Sequence, residues 1–365
     1  MGSLTAVDLF SGAGGLSLGL SQAGIDVVLA NEIEADFAAT HSANHPECAV
    51  LTEDVYNVDF EAALRRIKRK GKVDLLCGGP PCQGFSTVGK KELTDPRNSL
   101  FAQFLRAVDQ ISPRFVLFEN VSGFKKLYGG MVYRTLLEEL DGRGFSVSSA
   151  VLNAMSFGLP QSRERTIVIG WQRGERAVDL PKPTHGVTDL VTDLKPLLSI
   201  MDAISDLPKI GPGGESDRYA SEPTNVFQAS MRSGSFRLTE HNCANYGVKM
   251  REILSLIPPG GSVLDLPKRL RPKSYFKNTY ARLVPDQPSP TITRNFGTPS
   301  SSRCVHPFQN RALSTREGAR LQGFPDDYVF CGPKGSKNLQ IGNAVPPVLG
   351  KVLADRFVAS TKASR

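Results

Sequence analysis

The first part of the chain alternates between short apolar runs and segments long enough to form helices. Apolar and β-branched residues cluster at positions 4–10, 26–30, 73–77, 115–118, 145–151 and 166–170. Strands separated by helix-length segments are typical of a doubly wound α/β sheet. We therefore predict a mostly parallel sheet within residues 1–170.

The pattern changes after residue 171. Regular periodicity fades, and Pro, Gly and Ser become frequent, as in Pro212-Gly213-Gly214 and Pro258-Pro259-Gly260-Gly261. Helical periodicity returns at 315–322 and 347–359. These shifts predict three parts: a catalytic and cofactor-binding domain (1–170), a second, smaller irregular domain (171–281) and a return segment (282–365).

Composition narrows the class of protein. Apolar residues make up 40% and charged residues 22% of the chain, which is ordinary for a soluble globular protein. No run reaches the 18 or more apolar residues of a membrane span, and the amino terminus does not read as a signal peptide. The six cysteines include no Cys-x-x-Cys pair. We expect a cytoplasmic protein without contact to a membrane.

Charge is concentrated in the later half. The net charge is +8, and between residues 249 and 303 ten Lys and Arg side chains stand against three Asp and Glu. Tyr275, Phe276 and Tyr280 interleave with these basic residues. A phosphate-binding surface and a solvated loop face both fit this pattern.

A glycine-rich segment, residues 10–16 (Phe-Ser-Gly-Ala-Gly-Gly-Leu), lies between a predicted strand and a predicted helix. Glycines there let the main chain turn sharply and approach a ligand. Glu32 closes the next strand, at a spacing suited to ribose hydroxyls. Ser17 replaces the third glycine of the dinucleotide fingerprint, which favours another nucleoside cofactor over NAD. A purely structural turn is the alternative.

A second motif, residues 78–86 (Gly-Gly-Pro-Pro-Cys-Gln-Gly-Phe-Ser), follows the strand at 73–77 directly. Two prolines stiffen the approach to Cys82, and the carboxyl ends of strands face the ligand crevice in such sheets. An isolated Cys is usually a small core residue, but Pro and Gly on both sides argue against that. The polar stretch 83–97 would then act as a lid.

Two further segments carry candidate groups. Glu119 ends the strand at 115–118, where desolvation would suit it to proton donation, although a capping or exposed Glu is the alternative. Arg163 and Arg165 are two residues apart on a predicted strand, so both guanidiniums can point to one face. His41, His45 and Cys48 have a spacing compatible with zinc, but a surface helix end is the simpler interpretation. We predict no metal.

Taken together, these blocks resemble the DNA (cytosine-5) methyltransferase family of the bacterial restriction-modification type. The resemblance extends to residues 282–293 (Arg-Leu-Val-Pro-Asp-Gln-Pro-Ser-Pro-Thr-Ile-Thr) and 340–347 (Gln-Ile-Gly-Asn-Ala-Val-Pro-Pro). Six blocks occur in the family's order between residues 7 and 347. Only residues 171–281 match none of them, and the family varies there because that region reads the DNA target.

The resemblance implies the class I fold and S-adenosyl-L-methionine as the cofactor, with S-adenosyl-L-homocysteine as its product. The methionine end, ribose and adenine would be held by Phe10, Ser11, Gly12, Gly14, Gly15, Leu16, Glu32, Ile33, Asp54, Val55, Pro80, Asn343 and Val345.

It also implies a mechanism. Cys82 would add to C6 of a cytosine flipped out of duplex DNA, Glu119 would hold N3, Arg165 would hold O2, and Arg163 would neutralise charge nearby. The residues expected to contact DNA are Gln83, Ser86, Lys90, Lys91, Arg97, Lys268, Arg269, Arg271 and Lys273. We expect a nucleoid-associated monomer of a bacterium or archaeon, accompanied by a restriction endonuclease in some settings.

Three alternatives remain at this level. A tRNA-modifying branch of the same family would share the chemistry, although its nucleophile segment typically departs from Pro-Pro-Cys-Gln-Gly-Phe-Ser. A nucleotide-dependent oxidoreductase would share the sheet. A DNA-binding relative without activity would share the motifs.

Overall fold

The parallel sheet predicted from the apolar runs is the centre of the fold. A computed structural model of the chain describes residues 3–67, 72–81, 99–188, 193–301 and 303–362. The chain forms two compact units. Unit 1 comprises Met1–Asn153, Glu164–Lys182 and Pro347–Arg365, and unit 2 comprises Ala154–Arg163 and Pro183–Pro346. The three-part division predicted from composition places its boundaries elsewhere and stays a prediction.

Unit 1 contains a seven-stranded sheet in the order β3-β2-β1-β4-β5-β7-β6. Its strands are β1 (Thr5–Leu9), β2 (Asp26–Asn31), β3 (Ala49–Leu51), β4 (Leu75–Gly78), β5 (Phe115–Val121), β6 (Phe145–Asn153) and β7 (Glu164–Gln172). The pairs from β3 through β5 are parallel, and β7 runs antiparallel to both β5 and β6. The mostly parallel α/β sheet is therefore confirmed.

The central strands of unit 1 are almost wholly apolar because both of their faces are covered. All four residues of β4 are buried, as are the first six of β5. The helices of unit 1 are α1 (Gly15–Gln22), α2 (Ala35–Asn44), α3 (Phe60–Arg66), α4 (Ser99–Ile111), α5 (Met131–Gly142) and α11 (Pro347–Lys362). Helix α11 lies so close to α1 that a Cβ added at Gly19 would stand 2.5 Å from the Pro347 carbonyl oxygen.

Unit 2 has little regular structure. Its helices are α6 (Ile200–Ile204), α7 (Val226–Met231), α8 (Val248–Ser255), α9 (Thr315–Gln322) and α10 (Lys334–Asn343), and its two short strands are β8 (His185–Gly186) and β9 (Lys195–Pro196). The bounds of α9 agree with the prediction, because a capping box at Ser314 and Glu317 begins the helix and Gly323 ends it. Unit 2 is a second compact unit with little regular structure, whereas the predicted bounds of the irregular domain, 171–281, stay a prediction.

Candidate active site

The candidate residues of unit 1 gather at one edge of its sheet. Strands β1, β2, β4 and β5 are joined by parallel pairs, so their carboxyl ends meet at the same edge. The glycine loop follows β1, Glu32 follows β2, and Gly79 follows β4. Strand β7 is antiparallel to β5, so its first residues reach this edge as well.

Glu119 and Arg165 form an ion pair at this edge. The Arg165 Nε lies 2.7 Å from the Glu119 Oε1, and their side chains are only 12% and 10% exposed. The register explains the contact, because Val121 pairs with Arg165 and Glu119 is its diagonal neighbour on the same face. Strand β5 extends beyond the predicted bounds, so Glu119 lies within the strand and not after it.

The segment that leads to Cys82 packs against this pair. A Cβ added at Gly79 would stand 2.7 Å from the Glu119 Oε2, so only glycine lets the main chain approach that carboxyl. The Asn120 side-chain amide donates a hydrogen bond of 3.0 Å to the Pro80 carbonyl. Pro80 is buried and Pro81 is exposed.

The predicted nucleophile and the predicted lid lie outside the described residues. These positions are Cys82, Gln83, Ser86, Lys90, Lys91 and Arg97. The structure thus describes the main chain up to Pro81 and the groups packed against it.

The glycine loop, residues 10–15, is held in an unusual main-chain conformation. Phe10, Gly12 and Gly14 have φ angles of +55°, +57° and +83°, and a positive φ is uncommon for a residue such as Phe. The Gly12 N–H donates to the Glu32 Oε2 at 2.8 Å. Within the described part of the chain, the buried Ser11 hydroxyl has no hydrogen-bond partner.

Glu32 is buried, and burial raises the pKa of its carboxyl above the usual range. Its Oε1 accepts from the Glu34 N–H at 2.9 Å, in addition to the bond from the loop. Each carboxylate oxygen has a second lone pair for a further donor. Ile33 beside it is 59% exposed.

The other residues predicted for the cofactor differ in exposure. Leu16 and Val55 are buried, whereas Asp54 is exposed and accepts from the Tyr56 N–H at 3.1 Å. Asn343 is exposed and Val345 is half-buried, and both belong to unit 2.

Arg163 is placed differently from its predicted neighbour Arg165. Strand β7 begins at Glu164, and the Arg163 side chain is fully buried within unit 2. Its guanidinium donates to the carbonyls of Ile292 (3.1 Å), Gly342 (2.9 Å) and Ala344 (2.9 Å). Arg163 therefore holds the main chain on either side of Asn343.

The predicted DNA contacts of unit 2 fall into two groups. Arg269 is paired with Glu252 at 3.2 Å, and the Arg271 guanidinium donates to the carbonyls of Leu264 and Leu266. Lys268 and Lys273 are exposed and have no ion pair within the described ranges.

The sequence did not indicate how deeply His41 and His45 are buried. The interpretation of a surface helix end is wrong for both, since His41 is 0% and His45 only 9% exposed. The His41 Nε2 lies 3.0 Å from the Ser17 Oγ, and that hydroxyl donates to the Asp8 Oδ2 at 2.6 Å. The hydrophobic periodicity of α2 could not predict the contact between His41 and Ser17, because this contact depends on how α1 packs against α2.

Two observations on the described residues bear on the class of protein. Their helices include none whose length and apolar character would suit it to crossing a bilayer. In the same residues, no group of three or more His, Cys, Asp or Glu is arranged around a common point as metal ligands would be.

Comparison with known proteins places these features in a family. The family model for C-5 cytosine-specific DNA methylase matches residues 4–359. The chain is 38% identical to the Type II methyltransferase M1.HphI of Haemophilus parahaemolyticus, over 97% of this chain and 86% of the relative. It is 36% identical to the Type II methyltransferase M.DdeI of Desulfomicrobium norvegicum, over 97% and 88% respectively.

A solved structure agrees. The fold superposes on a crystal structure described as a DNA modification methyltransferase encoded within an E. coli prophage, with a TM-score of 0.78 and 26% identity. The match covers 98% of this chain and 99% of that one. With the sheet, the ordered motifs and these relatives in agreement, the chain belongs to the C-5 cytosine-specific DNA methylase family and is an enzyme of the DNA (cytosine-5)-methyltransferase class.

Proposed function

We propose that this enzyme transfers a methyl group from S-adenosyl-L-methionine to C5 of a cytosine flipped out of duplex DNA, through a covalent bond between the Cys82 sulfur and C6. The observation that carries the proposal is the Glu119–Arg165 ion pair beside Gly79 and Pro80. Cys82 follows this segment two residues later. In this proposal, the Glu119 carboxyl, the Arg165 guanidinium and the Cys82 thiol act on the same ring.

The pair supplies the groups that a cytosine ring needs. The Glu119 Oε1 contacts Arg165, whereas its Oε2 lies on the side of Gly79. In the proposal, the Oε2 carries a proton and donates it to N3, while an N–H of Arg165 donates to O2. Both side chains are nearly excluded from water, which strengthens hydrogen bonds to charge that develops on the ring.

The chemistry balances as follows. The Cys82 thiol loses its proton to a base, and the thiolate adds to C6 while N3 takes a proton from Glu119, which makes C5 an enamine carbon. When bound, S-adenosyl-L-methionine supplies the electrophilic methyl group that C5 accepts. A base then removes the C5 proton, N3 returns its proton to Glu119, and the ring expels the Cys82 thiolate.

The residues at the sheet edge suit the proposed cofactor. The buried Ser11 hydroxyl, unpaired within the described part of the chain, would bond to polar groups of the methionine end. The Glu32 carboxylate would accept from the ribose hydroxyls, as the resemblance implies. Ile33 would cover one face of the adenine with its exposed side chain.

We propose duplex DNA as the substrate, and the similarity to the relatives named above supports this proposal. The target carbon is inaccessible inside a duplex, so the base must leave the stack, at a cost of a few kcal/mol. Of the four residues of unit 2 predicted to contact DNA, Lys268 and Lys273 are the better candidates for phosphate contacts, because Arg269 and Arg271 already have partners within the chain. An accompanying restriction endonuclease and a monomeric state belong to this proposal.

The test begins with bisulfite sequencing of a plasmid exposed to the enzyme, which identifies the methylated cytosine. A duplex with 5-fluorocytosine at that position should then trap a covalent adduct, because fluorine does not leave as a proton does. Cys82→Ala should abolish the adduct, whereas the matched control Cys243→Ala should retain it. Methylation by Cys82→Ala would overturn the mechanism, and activity on tRNA but not on the plasmid would move the substrate to RNA.

The DNA surface has its own test. The double variant Lys268→Gln, Lys273→Gln should make the negative slope of log affinity against log salt concentration shallower by roughly 2. Lys362→Gln, at the end of α11, is the control with an unchanged slope. If the double variant kept the wild-type slope, the phosphate contacts would lie elsewhere.

A further inference from the structure

Four buried polar side chains next to the glycine loop of unit 1, namely Asp8, Ser17, His41 and His45, form a connected series of contacts. Asp8 on β1 is 1% exposed, and Ser17 on α1 and His41 on α2 are 0% exposed. The Ser17 hydroxyl donates to the Asp8 Oδ2 at 2.6 Å, and the His41 Nε2 lies 3.0 Å from the same hydroxyl. One hydroxyl group thereby joins a strand and two helices.

The chain of contacts continues into the loop. The His45 ring lies 4.7 Å from the His41 ring between centroids, and its Nε2 is 3.3 Å from the Gly14 carbonyl oxygen. With a proton on that nitrogen, His45 donates to Gly14. Gly14 is the N-cap residue of α1, directly before the first helical residue, Gly15.

The loop needs such support. Phe10 has a positive φ, which is strained for a residue with a Cβ, whereas Gly12 and Gly14 adopt a positive φ without that penalty. A strained residue keeps its conformation only where the surroundings fix it. The end of β2 provides two restraints: the Ser11 N–H donates to the Asn31 carbonyl at 3.1 Å, and the Gly12 N–H donates to Glu32. His45 provides a third restraint at Gly14. The contacts among Asp8, Ser17 and His41 hold α1 and α2 in place next to the loop.

These groups are poor choices if packing alone were required. Burial raises the pKa of Asp8 to about 7 and lowers the pKa of His41 to about 3, so the fold works against the charged form of each. Apolar side chains of similar volume would fill the space without a desolvation penalty. Apolar side chains would, however, lack the directional hydrogen bonds that fix the position of α1 relative to β1.

We propose that Asp8, Ser17, His41 and His45 are positioning residues that hold the glycine loop in the shape that receives the methionine end of the methyl donor. The inference rests on the proposed function, because it concerns the same cofactor. It assigns a role to the His-x₃-His segment, which the reaction itself does not use.

The experiment measures binding of S-adenosyl-L-homocysteine by calorimetry in the absence of DNA. Ser17→Ala removes the contacts of the hydroxyl with Asp8 and His41, and His45→Leu removes the bond to Gly14. Each variant should weaken binding about 10-fold. Asp8→Asn keeps an acceptor for Ser17, and His45→Gln keeps a donor for Gly14, so both should bind within about twofold of wild type. Ser21→Ala, at an exposed position of α1, is the matched control.

Thermal melting and steady-state kinetics separate positioning from simple stability. The two disruptive variants should raise the KM for S-adenosyl-L-methionine at unchanged kcat and leave duplex DNA affinity as in wild type. If they melted earlier but bound S-adenosyl-L-homocysteine as tightly as wild type, the positioning role would be overturned. If wild type itself failed to bind, the proposed function would fall, and this inference with it. If Ser17→Ala did not fold, the pair His45→Leu and His45→Gln would still decide the question.

Discussion

In the two units, the buried N–H and C=O groups of the main chain find their hydrogen-bond partners in different ways. In unit 1 the seven-stranded sheet pairs main-chain amides and carbonyls between neighbouring strands, and apolar side chains pack around it. Unit 2 has few ladders. Among the described residues, the four arginines with fully buried side chains all belong to it, namely Arg163, Arg311, Arg316 and Arg320.

The contacts of these arginines show why they are there. Arg316 donates to the carbonyls of Thr239 and Pro325, and Arg163 donates to three further carbonyls. In irregular segments, buried carbonyls lack the main-chain N–H partner that a helix or a sheet would provide. A guanidinium can replace that partner, because it has five N–H donors in one plane. In these irregular segments, buried arginine side chains thus donate the hydrogen bonds that neighbouring strands would donate in a sheet.

The largest effect expected from this comparison is at Arg320. Its guanidinium bonds to Asp206 and Asp326, both fully buried. Arg320→Met would remove the nearest cation from two buried carboxylates, leaving Asp206 with Arg232 at 3.5 Å and Asp326 with Arg316 at 4.0 Å. It should lower the free energy of unfolding by about 5 kcal/mol. Urea denaturation followed by circular dichroism measures this.

The triple variant Arg320→Met, Asp206→Asn, Asp326→Asn is the control for Arg320, because it removes the charges together. It should recover part of the loss. If Arg320→Met alone were as stable as wild type, the buried arginines would not be what holds unit 2.

The corresponding test in unit 1 concerns the pH dependence of stability. Ser17, Cys77 and Glu32 face Asp8, and burial raises its pKa from 3.8 to about 7. The folded state therefore keeps a proton that the unfolded state releases. As pH rises from 4 to 8, this group should lower the free energy of unfolding by ~4 kcal/mol, with little further change above about pH 8.

Asp8→Asn removes this dependence, so its stability relative to wild type should rise between pH 4 and 8. The measurement is urea denaturation of both proteins at several pH values. A constant difference across this range would show that Asp8 does not titrate there.

A smaller effect is expected for Arg163→Lys. Lysine keeps the positive charge but cannot reach three carbonyls, so the free energy of unfolding should fall by about 3 kcal/mol. If Arg163 fixes the Gly342–Ala344 segment, S-adenosyl-L-homocysteine should also bind more weakly. If its role is the charge near the substrate predicted from sequence, the lysine variant should keep binding and activity.

The smallest effect is expected at an exposed pair of the same unit. Arg269 and Glu252 are ion-paired, with 70% and 42% of their side chains exposed. Arg269→Gln should change the free energy of unfolding by less than about 1 kcal/mol in urea denaturation. A loss as large as that of Arg320→Met would break the distinction between buried and exposed guanidiniums.

The same comparison explains how far the sequence could be interpreted. The strands of unit 1 followed from apolar runs, because a strand covered on both faces must be apolar along its length. Strand β3 was missed, since Ala49–Leu51 has only three half-buried residues. Helix α10 was missed as well, because its residues carry no clear apolar stripe. In most of unit 2 the periodicity that supports prediction is absent. Helix α9 was predicted because helical periodicity returns at residues 315–322, and its caps are encoded locally as well.

By itself, the sequence determined the family, the order of the motifs and the chemistry that their residue types permit, because these depend on which groups are present. Only the tertiary structure brought Glu119 and Arg165 together, and separated Arg163 from them. Adjacent residues share a strand pattern, but the partners of their side chains lie up to 181 positions away in the chain. The same holds for Asp8, Ser17, His41 and His45, whose contacts arise from the packing of α1 and α2 against β1. Local patterns are set by nearest neighbours in sequence, whereas buried polar contacts are set by the packing of distant segments.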